Sequence, residues 1–180
     1  MVVKDIVQAG NPLLRKKAEL VKSILSQETK QVVADLIDTM SYSHLVGIAA
    51  PQIGKSLRIF ISEIRATKYR KNSESSALTV YINPKIIKLS SRKVTDYEGC
   101  GSVAYSKIFG PVKRAQQVVV EAQNQKGDKF KLEANGLLAR IIQHEYDHLE
   151  GMLFTDKLTN WAKIMSSEEY VKMRSKNTTR

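Results

Sequence analysis

The segment from Asn135 to Glu150, NGLLARIIQHEYDHLE, constrains the fold of this 180-residue chain more than any other. Its apolar spacing is helical, with Asn135 suited to the N-cap and Gly151 to the stop. Successive residues on a helix turn by about 100°, so Leu137, Ile141, His144 and His148 fall on one stripe. Imidazoles on an apolar stripe point into the protein, and buried ring nitrogens need polar partners. One divalent metal between His144 and His148 would satisfy both. Glu145 stands beside the first histidine, where its carboxylate can act as general base. The plainer alternatives are a solvated polar helix, or a stripe in which Leu137 and Ile141 are simply core. If a metal is held, the fold must bring a third ligand against this helix.

That ligand decides the chemistry. One class of zinc protease continues the pattern to a third histidine, but the corresponding position here is Phe154, which cannot ligate. Another takes a Glu or Asp from a later helix, for which Glu168 and Glu169 could be offered, but they sit in a charged tail. Cys100, the single cysteine, stands between glycines in Glu98-Gly99-Cys100-Gly101-Ser102. A thiolate is a soft ligand for iron(II), cobalt, nickel or zinc, and the glycines leave room to approach a metal. A lone cysteine is otherwise a small buried apolar residue.

One cysteine also excludes a disulfide-stapled secreted module. No run of about 18 apolar residues is present, so no membrane span is expected. The N-terminus, MVVKDIVQAGNP, lacks the pattern of a signal peptide, and a cytoplasmic chain is expected. The length suits one domain spanning 1–180 that buries about 70 % of its unfolded surface. The net charge of +11 favours polyanions without naming one. Its basic residues gather at Arg65, Lys68, Arg70 and Lys71, at Lys85, Lys88, Arg92 and Lys93, and in the tail at 163–180. These read as solvated faces or as an RNA-contacting surface.

Elsewhere, Asn11-Pro12 opens a short helix, and Gln27 to about Met40 has the spacing of an amphipathic helix. Arg58–Ile61 reads as a buried strand and 66–78 as a polar surface loop. Val80–Ile82 and Ile86-Ile87 read as two strand pieces around Pro84. Gln117–Glu121 and Lys129–Leu132 form a pair of strands turned at 124–128. Residues 159–173 suit a last helix, and 174–180 are expected to fray. The predicted class is α+β: short antiparallel strands packed around a central helix that carries the two histidines, with an N-terminal and a C-terminal helix.

Three segments in order resemble the peptide deformylase family: Gly47-Ile48-Ala49-Ala50-Pro51-Gln52, Glu98-Gly99-Cys100-Gly101-Ser102, and Gln143-His144-Glu145-Tyr146-Asp147-His148-Leu149-Glu150-Gly151. Ile82-Asn83-Pro84 and Leu153-Phe154 are also similar, and the likeness spans about 5–158. The chain departs from the family pattern at Leu45, usually Gly, at Gly101, usually Leu, and at Ala104, usually Pro.

The resemblance implies a metal-dependent hydrolase that removes the N-formyl group from the initiator methionine of new polypeptides. Cys100, His144 and His148 would bind one divalent metal, usually iron(II), with nickel, cobalt or zinc as substitutes. Glu145 would shuttle the proton, and the Gln52 side chain with the Gly101 N–H would stabilise the oxyanion. Leu137, Ile141 and Val46 would line the methionine pocket, with the peptide running beside Val46, Gly47 and Gly99. Glu98 and Asp147 would orient ligands or form a structural ion pair, as with Arg140. Losing the side chain at Gly101 would loosen or widen the cleft. A monomer is expected, with the C-terminal helix and basic tail at 159–180 contacting ribosomal RNA, so that truncation after Lys157 spares activity on short peptides. The alternatives are a zinc endopeptidase and a catalytically weak RNA-binding relative.

Overall fold

The computed structural model describes residues 2–65 and 75–177. Its strands are β1 (Gly47–Ala49), β2 (Ile59–Ile64), β3 (Ser76–Leu89), β4 (Lys93–Glu98), β5 (Ile108–Ala115), β6 (Gln117–Gln123), β7 (Lys129–Asn135) and β8 (Met165–Ser166). The helices are α1 (Gln27–Tyr42), α2 (Gly136–Leu149) and α3 (Ser167–Asn177). One sheet has the order β1-β2-β3-β6-β7 and the other β4-β5-β8, and every pairing is antiparallel. The architecture is thus α+β.

Side chains alternate across a strand, and here the alternation separates two cores. Ile59 and Ile61 of β2, with Val80 and Ile82 of β3, face Val32, Val33, Leu36 and Met40 of α1. Phe60 and Tyr81 point the other way, toward Ala139, Ile142 and Leu149 of α2. Their rings stack with centroids 4.3 Å apart. An aromatic pair of this kind contributes roughly 1 kcal/mol beyond its area burial. α1 starts at Ser26, whose side chain accepts from the Thr29 N–H. α2 occupies the face opposite α1 and reaches β5 through buried Gln143. That side chain accepts from Ala115 N at 3.1 Å and donates to Ala115 O at 2.9 Å. Cys100, Val103, Val112, Leu153 and Phe154 form a third, smaller cluster.

Several expectations are corrected. The two strand pieces around Pro84 are one strand, β3, whose register shifts between Ile82 and Lys85 while Asn83 adopts φ 51°. That bulge admits a proline that cannot donate to the ladder. Of the polar loop at 66–78, residues 66–74 lie outside the described residues, and Ser76–Leu78 already belong to β3. The last helix begins at Ser167, because 161–163 form a 3₁₀ turn and Met165-Ser166 pair with Ile108 and Phe109. Residues 174–177 are helical, and 178–180 lie outside the described residues. Asn135 occupies the N-cap of α2 by backbone shape, without a side-chain capping bond. Gly151 follows the helix with a φ of 74°. That left-handed shape is the one a glycine stop supplies. Among the described residues no helix is long and apolar enough to cross a membrane.

Candidate metal centre

α2 presents His144 and His148 one turn apart, and the loop after β4 carries Cys100 up to them. The three candidate ligand atoms lie within 4.8 Å of one another. The Cys100 Sγ is 3.3 Å from His148 Nε2. The His144 Nδ1 is held by Glu98 Oε2 at 2.9 Å, which fixes the ring and leaves its other nitrogen for a metal. Burial disfavours charge on His144, but its hydrogen bonds to Cys100 and Glu98 outweigh it and hold its pKa well above the ordinary value. Burial first, and then the nearby His144, push the pKa of His148 well below it. The sulfur and nitrogen donors, brought this close together, suit a transition metal. Phe154, where a third histidine ligand would stand in the proteases, instead stacks on His144 with centroids 6.4 Å apart.

Glu98 is the hub of a buried ion network. Arg114 of β5 grips both of its oxygens at 2.9 Å, and Arg140 donates to Oε1 at 2.6 Å. Arg114 also bonds Asp147, which accepts from Lys157 at 2.6 Å. Burial alone would raise the Glu98 carboxyl, but Arg114 and His144 hold it well below the usual carboxylate range. Glu98 is thus both a partner of His144 and a member of a salt bridge. Arg114, central to the network, has no sequence signal beyond being a basic residue in an ordinary strand.

Glu145 lies on the side where β1 meets the helix. A Cβ on Gly47 would come within 2.6 Å of Glu145 Oε1 and 2.9 Å of Ile141 Cγ2, so only glycine lets the strand approach this closely. Glu145 Oε2 is buried, with no hydrogen-bond partner among the described residues. Burial raises its pKa to about 7. Gln52 is buried as well. Its Oε1 accepts from Ala49 N at 2.8 Å, and its Nε2 points at Ser102 Oγ at 3.2 Å and Cys100 Sγ at 3.5 Å.

Ile141 is buried beside Gly47, whereas Leu137, two turns from His144, is 38 % exposed. Val46 is half-buried at the head of β1. Gly99 lies under the Phe109 ring, which a Cβ would meet at 2.7 Å. Phe109 stacks in turn on Tyr170 of α3 at 4.2 Å, so the C-terminal helix is packed onto the ligand loop. Gly101 leaves no widened cleft: a Cβ there would meet Ile6 Cδ1 and Leu45 Cδ1, each at 3.3 Å. Its carbonyl accepts from Gln8 Nε2 at 2.9 Å, a restraint the sequence did not suggest. Ala104, Tyr105 and Ser106 all have left-handed backbones, with φ of 48°, 52° and 59°. The proline ring locks φ on the negative side and cannot adopt that shape, which explains alanine at 104.

The model of the polypeptide deformylase family matches residues 3–163. This chain belongs to the polypeptide deformylase family. It is 42 % identical over 156 residues to a peptide deformylase of Dictyoglomus thermophilum, covering 87 % of this chain and 93 % of that one. It is 39 % identical over 173 residues to peptide deformylase 2 of a Nostoc species, covering 96 % of each. Among solved structures, a class I type b peptide deformylase of Acinetobacter baumannii bound to Met-Ala-Ser has a TM-score of 0.82. It shares 33 % identity over 87 % of this chain and 99 % of that one. The peptide deformylase of Thermotoga maritima has a TM-score of 0.77 at 32 % identity, covering 89 % of this chain and all of that one. The chain is accordingly a hydrolase that removes the N-formyl group from nascent polypeptides. Deformylases are metalloenzymes, and the Cys100, His144 and His148 group is a metal-binding site of that kind.

Proposed function

We propose that Cys100, His144 and His148 hold the metal of this deformylase, iron(II) in the cell with nickel, cobalt or zinc as substitutes, and that Glu145 is its general acid and base. The observation that carries the assignment is Glu145 itself: a buried carboxyl with one unpartnered oxygen, raised to about 7, next to a converging thiol and two imidazoles. When bound, the cation supplies Lewis acidity, making water a nucleophile near neutral pH and polarising the formyl carbonyl. Glu145 accepts the proton from that water and returns it to the leaving amine, and a pKa raised toward neutrality suits both transfers. Gln52 Nε2 and the Gly101 N–H donate to the developing oxyanion. Glu98 keeps His144 in its ligating orientation, and the Arg114 and Lys157 pairs on Asp147 brace the helix beneath it.

Among the described residues β1 pairs only with β2, which leaves its other edge to take an extended peptide as an added strand. The peptide would run beside Val46, Gly47 and Gly99, with its methionine side chain against Ile141 and the exposed face of Leu137. Met-Ala-Ser, the peptide bound by the Acinetobacter enzyme, is the natural product to test. The chain would act in the cytoplasm as a monomer of one domain spanning 1–180. Residues 159–180, with their excess of basic side chains, would contact ribosomal RNA. An endopeptidase and an RNA-binding relative without activity are not favoured by the family match. Cys100→Ser separates the readings. It should abolish metal retention and formate release together, whereas an endopeptidase relying on another third ligand would keep its metal.

A further inference from the structure

We propose that Leu45 is a specificity-determining residue: it fills the space that Gly101 leaves open and, with Ile6, forms an apolar wall that selects the side chain following formyl-methionine. The proposal rests on the deformylase reading of the metal centre. The first observation is the packing at Gly101. A Cβ there would lie 3.3 Å from Leu45 Cδ1, 3.3 Å from Ile6 Cδ1 and 3.7 Å from Ile6 Cγ2. The volume beside the ligand loop is therefore occupied by side chains from two other segments. The leucine that the family pattern puts after the cysteine is supplied here from position 45, where that pattern has glycine.

The second observation is that this wall is held in place. Gln8 Nε2 donates both to Ile6 O at 3.0 Å and to Gly101 O at 2.9 Å, tying the two sides together. Leu45 N donates to Met40 O at 3.1 Å, and His44 before it turns the chain with φ 54°. Leu45 and Ile6 pack on the α1 core yet stay half-buried, so each keeps a face toward solvent.

The third observation is spacing. Gly47 lies against Glu145, where the formyl carbon must react. Leu45 precedes Gly47 by two residues, in the turn that leads from α1 into the outer edge of β1. A peptide extended along that edge advances by the same length in two residues, which brings the position after formyl-methionine to Leu45.

The test is a double-mutant cycle on the nickel-loaded enzyme, with Leu45→Gly, Gly101→Leu and the pair. Formyl-Met-Leu-Ser and formyl-Met-Glu-Ser are the substrates. An apolar contact of this size is worth about tenfold in kcat/KM, so the wild type should prefer leucine over glutamate by about that factor. Leu45→Gly should bring the ratio to within about threefold of unity, and the pair should restore it. Thermal midpoints give a readout independent of turnover. Gly101→Leu overpacks the space and Leu45→Gly empties it, so each lowers Tm and the pair lies closer to wild type than either. If Leu45→Gly does not fold, Leu45→Ala replaces it. A substrate ratio unchanged at position 45, or midpoints that simply add, overturns the proposal. Absence of formate release from every substrate overturns the deformylase reading instead, and is recognised because the coupling between midpoints survives it.

Discussion

Replacing Arg114 with methionine tests the buried ion network that supports the centre. The guanidinium makes two 2.9 Å bonds to Glu98 and one to Asp147, and all three residues are buried. Its removal leaves Glu98 with Arg140 and His144, and Asp147 with half-exposed Lys157. Breaking a buried ion pair from one side costs about 3–5 kcal/mol. In a chain of this size each kcal/mol moves the midpoint by about 2–4 °C, so Tm should fall by about 6–20 °C. Calorimetry of the metal-loaded protein measures this directly. Adding Asp147→Asn removes one of the uncompensated charges and should recover part of the loss. A midpoint within about 2 °C of wild type, below the least fall that this cost allows, would refute the claim that this network holds β4, β5 and α2 together.

Gly47→Ala places a methyl against Glu145 and Ile141. A displacement of about 1 Å there should lower kcat by about 10²-fold with metal content unchanged. Ala104→Pro cannot take the left-handed backbone of that position, so it should lower Tm by several degrees in a melting scan. Truncation after Lys157 removes β8 and α3 and bares Phe109, so it should lower both Tm and turnover of short peptides, contrary to a tail that serves only for docking. Asp156 is held below its ordinary pKa, since the bond from Arg15 outweighs its partial burial. A depressed carboxyl contributes stability that is present above its ordinary pKa and lost as pH falls through its folded value. Arg15→Gln should therefore raise the Asp156 titration followed by NMR, and the stability difference from wild type should vanish at low pH.

Helical periodicity made α1 and α2 legible, because a 3.6-residue repeat of Val32, Val33, Leu36 and Met40 needs no knowledge of partners. The β6–β7 hairpin was legible from its turn at Asn124 to Asp128. β4 and β5 were not. KVTDYE and IFGPVKRA lack sustained alternation, and they are strands because they pair with each other. The break expected at Pro84 failed because a bulge absorbs a proline that a regular ladder rejects. At the site, residue types named Cys100, His144, His148 and Glu145, whereas Gln52 was named only through the family resemblance. Arg114 and Gln8 stayed hidden, since each acts through partners far along the chain: Glu98 and Asp147 for Arg114, Gly101 for Gln8. The exchange between Leu45 and Gly101 was visible only as two separate departures until their packing joined them.

The most direct test of the central claim is formate release from formyl-Met-Ala-Ser by the metal-loaded wild type and by Glu145→Gln, with metal content measured in both. About one metal ion is expected in each protein, with release by the wild type and a loss of at least about 10²-fold in the variant. Equal release by the two, or none above background in the wild type with its metal bound, would contradict the claim.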